Sequence, residues 1–154
     1  QTDGRFIQVN EDVEDNVIFT MYDADKNLLS TVLPAKAMGY QDLIEMLYGY
    51  QPDKQIINGY QVLSSRETPG LGTKIETDKT FQKNFTALDA TVNAGVTDLQ
   101  HSIEVVKPGT KTQPWQIDTI TGATISSKAV GNMVADSASK WVPKIQQQLK
   151  DFQQ

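Results

Sequence analysis

From residue 129 onward Ala129, Val130, Met133, Val134, Trp141, Val142, Ile145, Leu149 and Phe152 recur at spacings of three, four and seven. That rhythm predicts one long C-terminal amphipathic helix with a single apolar face. Pro143 falls within it and is expected to kink or interrupt it. Such a helix needs an apolar surface to lie on, and the rest of the chain offers short β-prone runs separated by turn residues. Residues 17–33 read VIFTMYD, ADKN and LLSTVL, two strands around a turn. Asp23, Asp25 and Asn27 imitate the start of a calcium loop. The sixth position is Leu28 rather than Gly and the twelfth is Pro34 rather than Glu, so the segment reads as a turn.

Residues 39–50 place Leu43, Met46, Leu47 and Tyr50 at helical spacing before Pro52, which predicts a short helix. Residues 56–64 predict a strand broken by Asn58-Gly59, as a tight turn or a bulge. A second short helix is expected over 78–88, with Phe81, Phe85 and Leu88 on one face. Strands are expected between Ala90 and Val106, around a turn at residues 93–95. With no internal repeat and no low-complexity linker, the reading is α+β: a single domain of antiparallel strands, short helices and the C-terminal helix.

Composition narrows the function classes. At 154 residues with 38% apolar content the chain can bury a core without staples. The absence of cysteine excludes disulfide scaffolds, thiolate metal sites and cysteine nucleophiles, and a single histidine, His101, leaves little for a metal centre, so no metal site is expected. Seven acids against Arg5 and Lys26 in residues 1–30 account for the whole net charge of −5. Residues 1–16 are therefore read as an acidic, solvated N-terminal segment and 17–154 as the domain. No basic stripe follows a phosphate backbone, which argues against nucleic acid. No run approaches the roughly 20 apolar residues that span a bilayer. Because the chain starts at Gln1 rather than Met, we expect a processed protein or an excised piece, with any membrane anchor lying upstream.

The chemistry concentrates in two blocks. The first, Asp118-x-x-Thr121-Gly122-Ala123-Thr124, runs directly into the long helix with Ile125, Ser126 and Ser127 behind it. Small residues there let a ligand approach the backbone, and the first amides of a helix favour an anion such as phosphate. The competing reading is that Thr124 or Ser126 merely caps the helix. The second, Glu67-Thr68-Pro69-Gly70-Leu71-Gly72, is a stiff glycine-rich loop without the spacing of a Walker phosphate loop. Asn84-Phe85-Thr86 spells a glycosylation acceptor, a motif common by chance. His101 sits apart from both blocks and is given no role.

Together the two blocks, with Gly39-Tyr40 ahead of them, resemble the FMN-binding domains of the G subunit of Rnf-type ion-translocating electron-transport complexes and the C subunit of sodium-translocating NADH:quinone reductases. The resemblance runs from about Val17 to the terminal helix, and the Rnf type is the nearer of the two. It implies FMN attached covalently, by a flavin transferase that moves it from FAD onto a threonine hydroxyl as a phosphodiester. The acceptor position corresponds to Thr124, and Asp118 to the transferase recognition motif, with a turn or capping role beside it. Residue chemistry alone leaves Ser126 and Ser127 open as acceptors.

The amides of Ile125, Ser126 and Ser127 are expected around the phosphate, with Thr121, Gly122 and Ala123 keeping the approach open. The Glu67–Gly72 loop is expected at the isoalloxazine, Thr68 by hydrogen bond and Leu71 by apolar contact, with Lys74 as a nearby charge. Tyr40 and Trp115 are candidates to line the ring, with core packing as the other reading for Trp115, and Trp141 belongs to the core or a docking surface. The implied partners are the other subunits of a membrane complex and the transferase; the implied location is the extracytoplasmic face of the inner membrane. Alternatives are a flavin domain of another extracytoplasmic system, or a non-redox binding module in which Thr-Gly-Ala-Thr is only a helix cap.

Overall fold

In the computed structural model, residues 18–149 are described. The acidic segment 1–16, Val17 and Phe152 lie outside the described residues. Five antiparallel strands form a meander in sequence order: β1 (Phe19–Tyr22), β2 (Leu28–Met38), β3 (Leu43–Gln51), β4 (Ile56–Ser64) and β5 (Leu88–Asp89). Between β4 and β5 lie two short helices, α1 (Lys74–Thr77) and α2 (Lys79–Lys83). A second, two-stranded parallel sheet joins β6 (Glu104–Val106) to β7 (Gln116–Asp118), and α3 (Thr124–Gln147) follows. The architecture is α+β, as the sequence predicts.

The β1–β2 turn is built by one side chain: Asp23 Oδ1 accepts from the amides of Asp25 (2.9 Å) and Asn27 (2.8 Å), an Asx arrangement that leaves no calcium loop. The predicted helix over 39–50 is instead β3. Ile44, Met46, Tyr48 and Tyr50 alternate inward between β2 and β4, and all four are buried. Period-two burial on a sheet therefore overrides the period-3.6 pattern that Leu43, Met46 and Leu47 suggested. In β4 the Asn58-Gly59 pair is a bulge rather than a turn, because Gly59 faces Gly49 while Ile57 faces Tyr50. The expected strands after Ala90 reduce to one bridge, Val92 to Leu99, around the Asn93 turn, and then β6.

Helix α3 lies across both sheets. Its buried face carries Val130, Met133, Val134, Ala138, Val142 and Ile145, each contributing about 1–3 kcal/mol by leaving water. Tyr48 donates to Ser137 Oγ (2.9 Å), which donates to the Pro34 carbonyl (3.1 Å), and Gln146 reaches Tyr50 Oη (2.7 Å) and the Pro52 carbonyl (2.8 Å). Gly131 lets the helix approach β6: a Cβ there would stand 2.5 Å from Val105 Cγ2. Of the two outcomes expected at Pro143, interruption does not occur: the helix runs four residues beyond it. Its missing N–H costs the carbonyl of Ser139, an exposed residue, its helical partner. Trp141 is half-buried against the core, with Lys140 and Lys144 over its ring.

Candidate functional site

The head of α3 is built from β7 forward. Asn84, buried after α2, accepts from the Asp118 amide (3.1 Å) and donates to the Asp118 carbonyl (3.3 Å), which fixes the end of β7. Thr119 then bonds Val106 through its amide (3.0 Å) and hydroxyl (3.0 Å). The turn that follows closes with the Ala123 amide on the Ile120 carbonyl (3.1 Å), and Gly122 at φ 79° takes a backbone conformation that L side chains rarely adopt.

Helix α3 starts with Ala123 as N-cap and no side-chain cap. Its first intrahelical bond runs from the Ser127 amide to the Ala123 carbonyl (3.0 Å), so the amides of Thr124, Ile125 and Ser126 are the ones left without an intrahelical partner. The Ser127 amide, expected among the anion-binding group, is thereby removed from it.

The three hydroxyls of this turn separate cleanly. Ser127 is buried; its Oγ accepts from the Ile120 amide (3.0 Å) and donates to the Ala123 carbonyl (2.8 Å). Ser126 is buried and donates to Glu67. Thr124 is exposed, with only a long contact of 3.4 Å to the Ile120 carbonyl. Neither Thr124 nor Ser126 caps the helix.

The second block folds onto the first. Thr68, Pro69, Gly70 and Leu71 form a type II turn: Gly70 has φ 74° and the Leu71 amide bonds the Thr68 carbonyl (3.1 Å). Gly70 N–H donates to Thr73 Oγ1 (3.0 Å) and the Lys74 amide to the Leu71 carbonyl (3.0 Å), carrying the loop into α1. An edge-to-face cluster of Tyr60, Phe81 and Phe85, with the Tyr60 hydroxyl donating to the Ile75 carbonyl, holds α1 and α2 on β4.

Glu67 ties the pieces together. Only 4% exposed, its carboxylate accepts from the Gln41 amide (3.0 Å) on one oxygen and from the Ser126 hydroxyl on the other. Burial raises the pKa of this carboxyl, and the Ser126 hydroxyl with the amides of Gln41, Tyr40 and Asp42 lowers it by more, so it stays below the ordinary glutamate value. The carboxylate also explains two glycines. A Cβ on Gly39 would stand 2.5 Å from Glu67 Oε1, and one on Gly72 would stand 2.6 Å from Oε2.

Sequence reasoning placed Gly39-Tyr40 beside the two blocks but missed Gln41 and Asp42 as partners of Glu67, and missed Asn84 as the anchor of Asp118. Neither link has a local signal, because the partners lie 26 and 34 residues apart.

Three apolar side chains stand out from these clasped segments: Tyr40 (65% exposed), Leu71 (49%) and Ile125 (56%). Thr121 and Gly122 are also exposed, Ala123 is buried, and Thr68 and Lys74 are half-buried. Trp115 is not brought to this group by any contact. It stacks on His101 (centroids 3.9 Å apart, 12° between planes) at the start of β7, whereas the turn at residues 120–123 follows the end of that strand. Asp118 points back into the β6–β7 connection, where Oδ1 accepts from the amides of Thr110 (2.9 Å) and Lys111 (3.0 Å). Its side chain thus performs the turn-stabilising role. Asn84 of the glycosylation triplet is buried with its amide committed to β7.

The arrangement offers an anion three unpaired amides, an exposed hydroxyl beside them and an apolar rim for a flat ring. The chain is 37% identical over 108 residues to the G subunit of the ion-translocating oxidoreductase complex of Methanosarcina acetivorans, covering 70% of this chain and 49% of that one. It is 33% identical over 112 residues to the G subunit of the proton-translocating ferredoxin:NAD(+) oxidoreductase complex of Clostridium ljungdahlii, covering 73% and 53%. The chain therefore spans about half the length of these curated relatives.

The fold resembles the crystal structure of Shewanella oneidensis NqrC, with TM-score 0.65 at 23% identity over 88% of this chain and 59% of that one. It also resembles the C subunit of the Na(+)-translocating NADH-quinone reductase of Parabacteroides distasonis, with TM-score 0.61 at 28% identity over 74% and 55%. The FMN-binding domain model matches residues 39–139, from the glycine that packs on Glu67 to the middle of α3, and the chain belongs to that family.

Proposed function

We propose that this chain is the flavin-carrying domain of an electron-transfer subunit in an Rnf-type ion-translocating complex, with FMN joined to Thr124 through a phosphodiester. The observation that carries the reading is the head of α3: a helix of 24 residues with no side-chain cap, whose first turn exposes the hydroxyl of Thr124 and buries those of Ser126 and Ser127. The alternative of a non-redox module draws no support from side-chain capping, since the N-cap is Ala123 and no side chain of Thr-Gly-Ala-Thr caps the helix.

In the proposed modification the Thr124 Oγ1–P bond forms while the pyrophosphate P–O bond of FAD breaks. AMP departs and the hydroxyl proton passes to solvent. The remaining phosphate charge faces the amides of Thr124, Ile125 and Ser126, with the helix dipole adding about 0.3–1 kcal/mol at an exposed site. Tyr40, Leu71 and Ile125 supply the apolar rim, and Thr68 and Gly70 the polar loop edge. Once bound, FMN supplies the redox chemistry; the chain holds the cofactor, orients it and sets its electrostatic surroundings.

Relatives at 33–37% identity include three G subunits of ion-translocating oxidoreductase complexes and, at 35%, a C subunit of a Na(+)-translocating NADH-quinone reductase; the Rnf-type assignment rests on the resemblance carried by Gly39-Tyr40. Among the described residues no helix is long and apolar enough to cross a membrane. The proposed location, the extracytoplasmic face of the inner membrane, assigns anchoring to a segment beyond this chain. A covalent bond suits a cofactor there, where dissociation is irreversible loss. The proposed partners are the other subunits of the complex and, during maturation, the transferase that reads the region of Asp118.

Intact mass of the chain co-produced with a flavin transferase tests the reading. The expected result is the added mass of one FMN less one water, with fluorescence retained after denaturation and absent in Thr124→Ala. No adduct despite an active transferase would overturn it.

A further inference from the structure

Glu67 stands in the flavin loop by sequence, yet its carboxylate turns away from the exposed rim and into the protein. Oε1 takes the amide of Gln41 and Oε2 the hydroxyl of Ser126, and the backbone of Gly39 and Gly72 closes over both oxygens. No cation pairs with it among the described salt bridges. A deprotonated carboxylate is acceptor-only, so it suits a site that presents amides on one side and a hydroxyl proton on the other.

We propose that Glu67 is a positioning residue: it fixes the 39–42 turn, the 67–72 loop and the head of α3 to one another, and by holding the Ser126 hydroxyl it leaves Thr124 as the hydroxyl offered for modification. The functional half of this inference rests on the flavin reading above. The clasp itself does not.

Two measurements on the whole chain separate the halves. Amide exchange of the flavin-free protein reads the clasp: in Glu67→Ala the amides of Tyr40, Gln41 and Asp42 exchange at least about tenfold faster, the scale of losing a hydrogen bond to a charged acceptor. In Glu67→Gln the side-chain oxygen still serves the amides, while the new NH₂ meets Ser126, whose hydroxyl rotates to accept. Most of the protection therefore returns.

The initial rate of flavin transfer from FAD reads the consequence. It falls about tenfold or more in Glu67→Ala and recovers to within about threefold of wild type in Glu67→Gln. Gly131→Ala, which strains the distant α3–β6 contact, serves as the control for general destabilisation. It lowers the melting temperature without changing either readout. Wild-type exchange at residues 40–42 in Glu67→Ala overturns the clasp. A transfer rate unchanged in Glu67→Ala, or equally slowed in Gly131→Ala, overturns the positioning role. A wild-type chain that accepts no flavin overturns the parent reading and this role together, while exchange still decides the clasp.

Discussion

Thr124, Ser126 and Ser127 are chemically near-equivalent in the sequence and wholly different in the folded chain, because a helix turns 100° per residue and rotates two of the three hydroxyls into the protein. Ser126→Ala and Thr124→Ala should therefore part company. Thr124→Ala should abolish the flavin adduct with under about 0.5 kcal/mol change in stability, as for an exposed site without a cap. Ser126→Ala should keep the adduct and lose about 1–3 kcal/mol, because one oxygen of buried Glu67 loses its donor. Intact mass and urea unfolding of the two variants check both statements.

Glu67 also sets an acid limit. Its folded pKa lies below the ordinary 4.5, so its contribution is fully present above that value and is lost as pH falls through the folded pKa. The stability difference between wild type and Glu67→Gln should be constant from neutral pH to about 5 and should shrink below about 4.5. Urea midpoints across that range measure it, and a difference independent of pH would show that the carboxylate charge is not what the clasp uses.

At the scale of elements, what was legible depended on whether a segment's pattern came from its own neighbours or from its partners in space. The hairpin around Asp23 and the long helix were readable, since an Asx turn and a 3.6-residue period are local properties. Strand β3 was not. Leu43, Met46, Leu47 and Tyr50 satisfy a helix and Ile44, Met46, Tyr48 and Tyr50 satisfy a strand, and only pairing with β2 and β4 selects the second set.

Trp115 shows the same dependence on partners in space: its stacking on His101 joins residues far apart in sequence and leaves no local signal. The α3–β6 contact gives a test at this scale. With Val105 Cγ2 2.5 Å from a Cβ on Gly131, Gly131→Ala must push the helix or the valine aside. We expect a loss of about 1–3 kcal/mol from overpacking, partly offset by the roughly 1 kcal/mol helix preference of alanine. Gly131→Val should cost more. Thermal unfolding of the pair checks the order.

Over the whole molecule, α3 is the common support. Its head carries the proposed attachment point, its middle is pinned by Ser137 to Tyr48 and β2, and its last turn is pinned by Gln146 to Tyr50. The proposed flavin site thus shares its supporting helix with a tyrosine-lined core, and that core has its own pH signature. Burial raises the Tyr50 phenol to about 12, against the hydrogen bond from Gln146, and raises Tyr48 further, against its bond with Ser137.

For a phenol whose folded pKa lies above its unfolded value of 10.0, stability is fully present below pH 10 and is lost as pH rises toward the folded pKa. Each such group removes about 1.4 kcal/mol per pH unit in that window, so the two together remove about 3 kcal/mol per unit between roughly pH 10 and 12. Urea unfolding followed from pH 8 to 11.5 should be flat at first and then fall steeply. Tyr48→Phe combined with Tyr50→Phe should start lower, for want of the bonds to Ser137 and Gln146, and descend more gently. Tyr60, raised by burial at the α1 contact, leaves a residual slope in that variant. If the wild-type curve and the variant curve run parallel above pH 10, these buried phenols are not what couples the sheet to the helix.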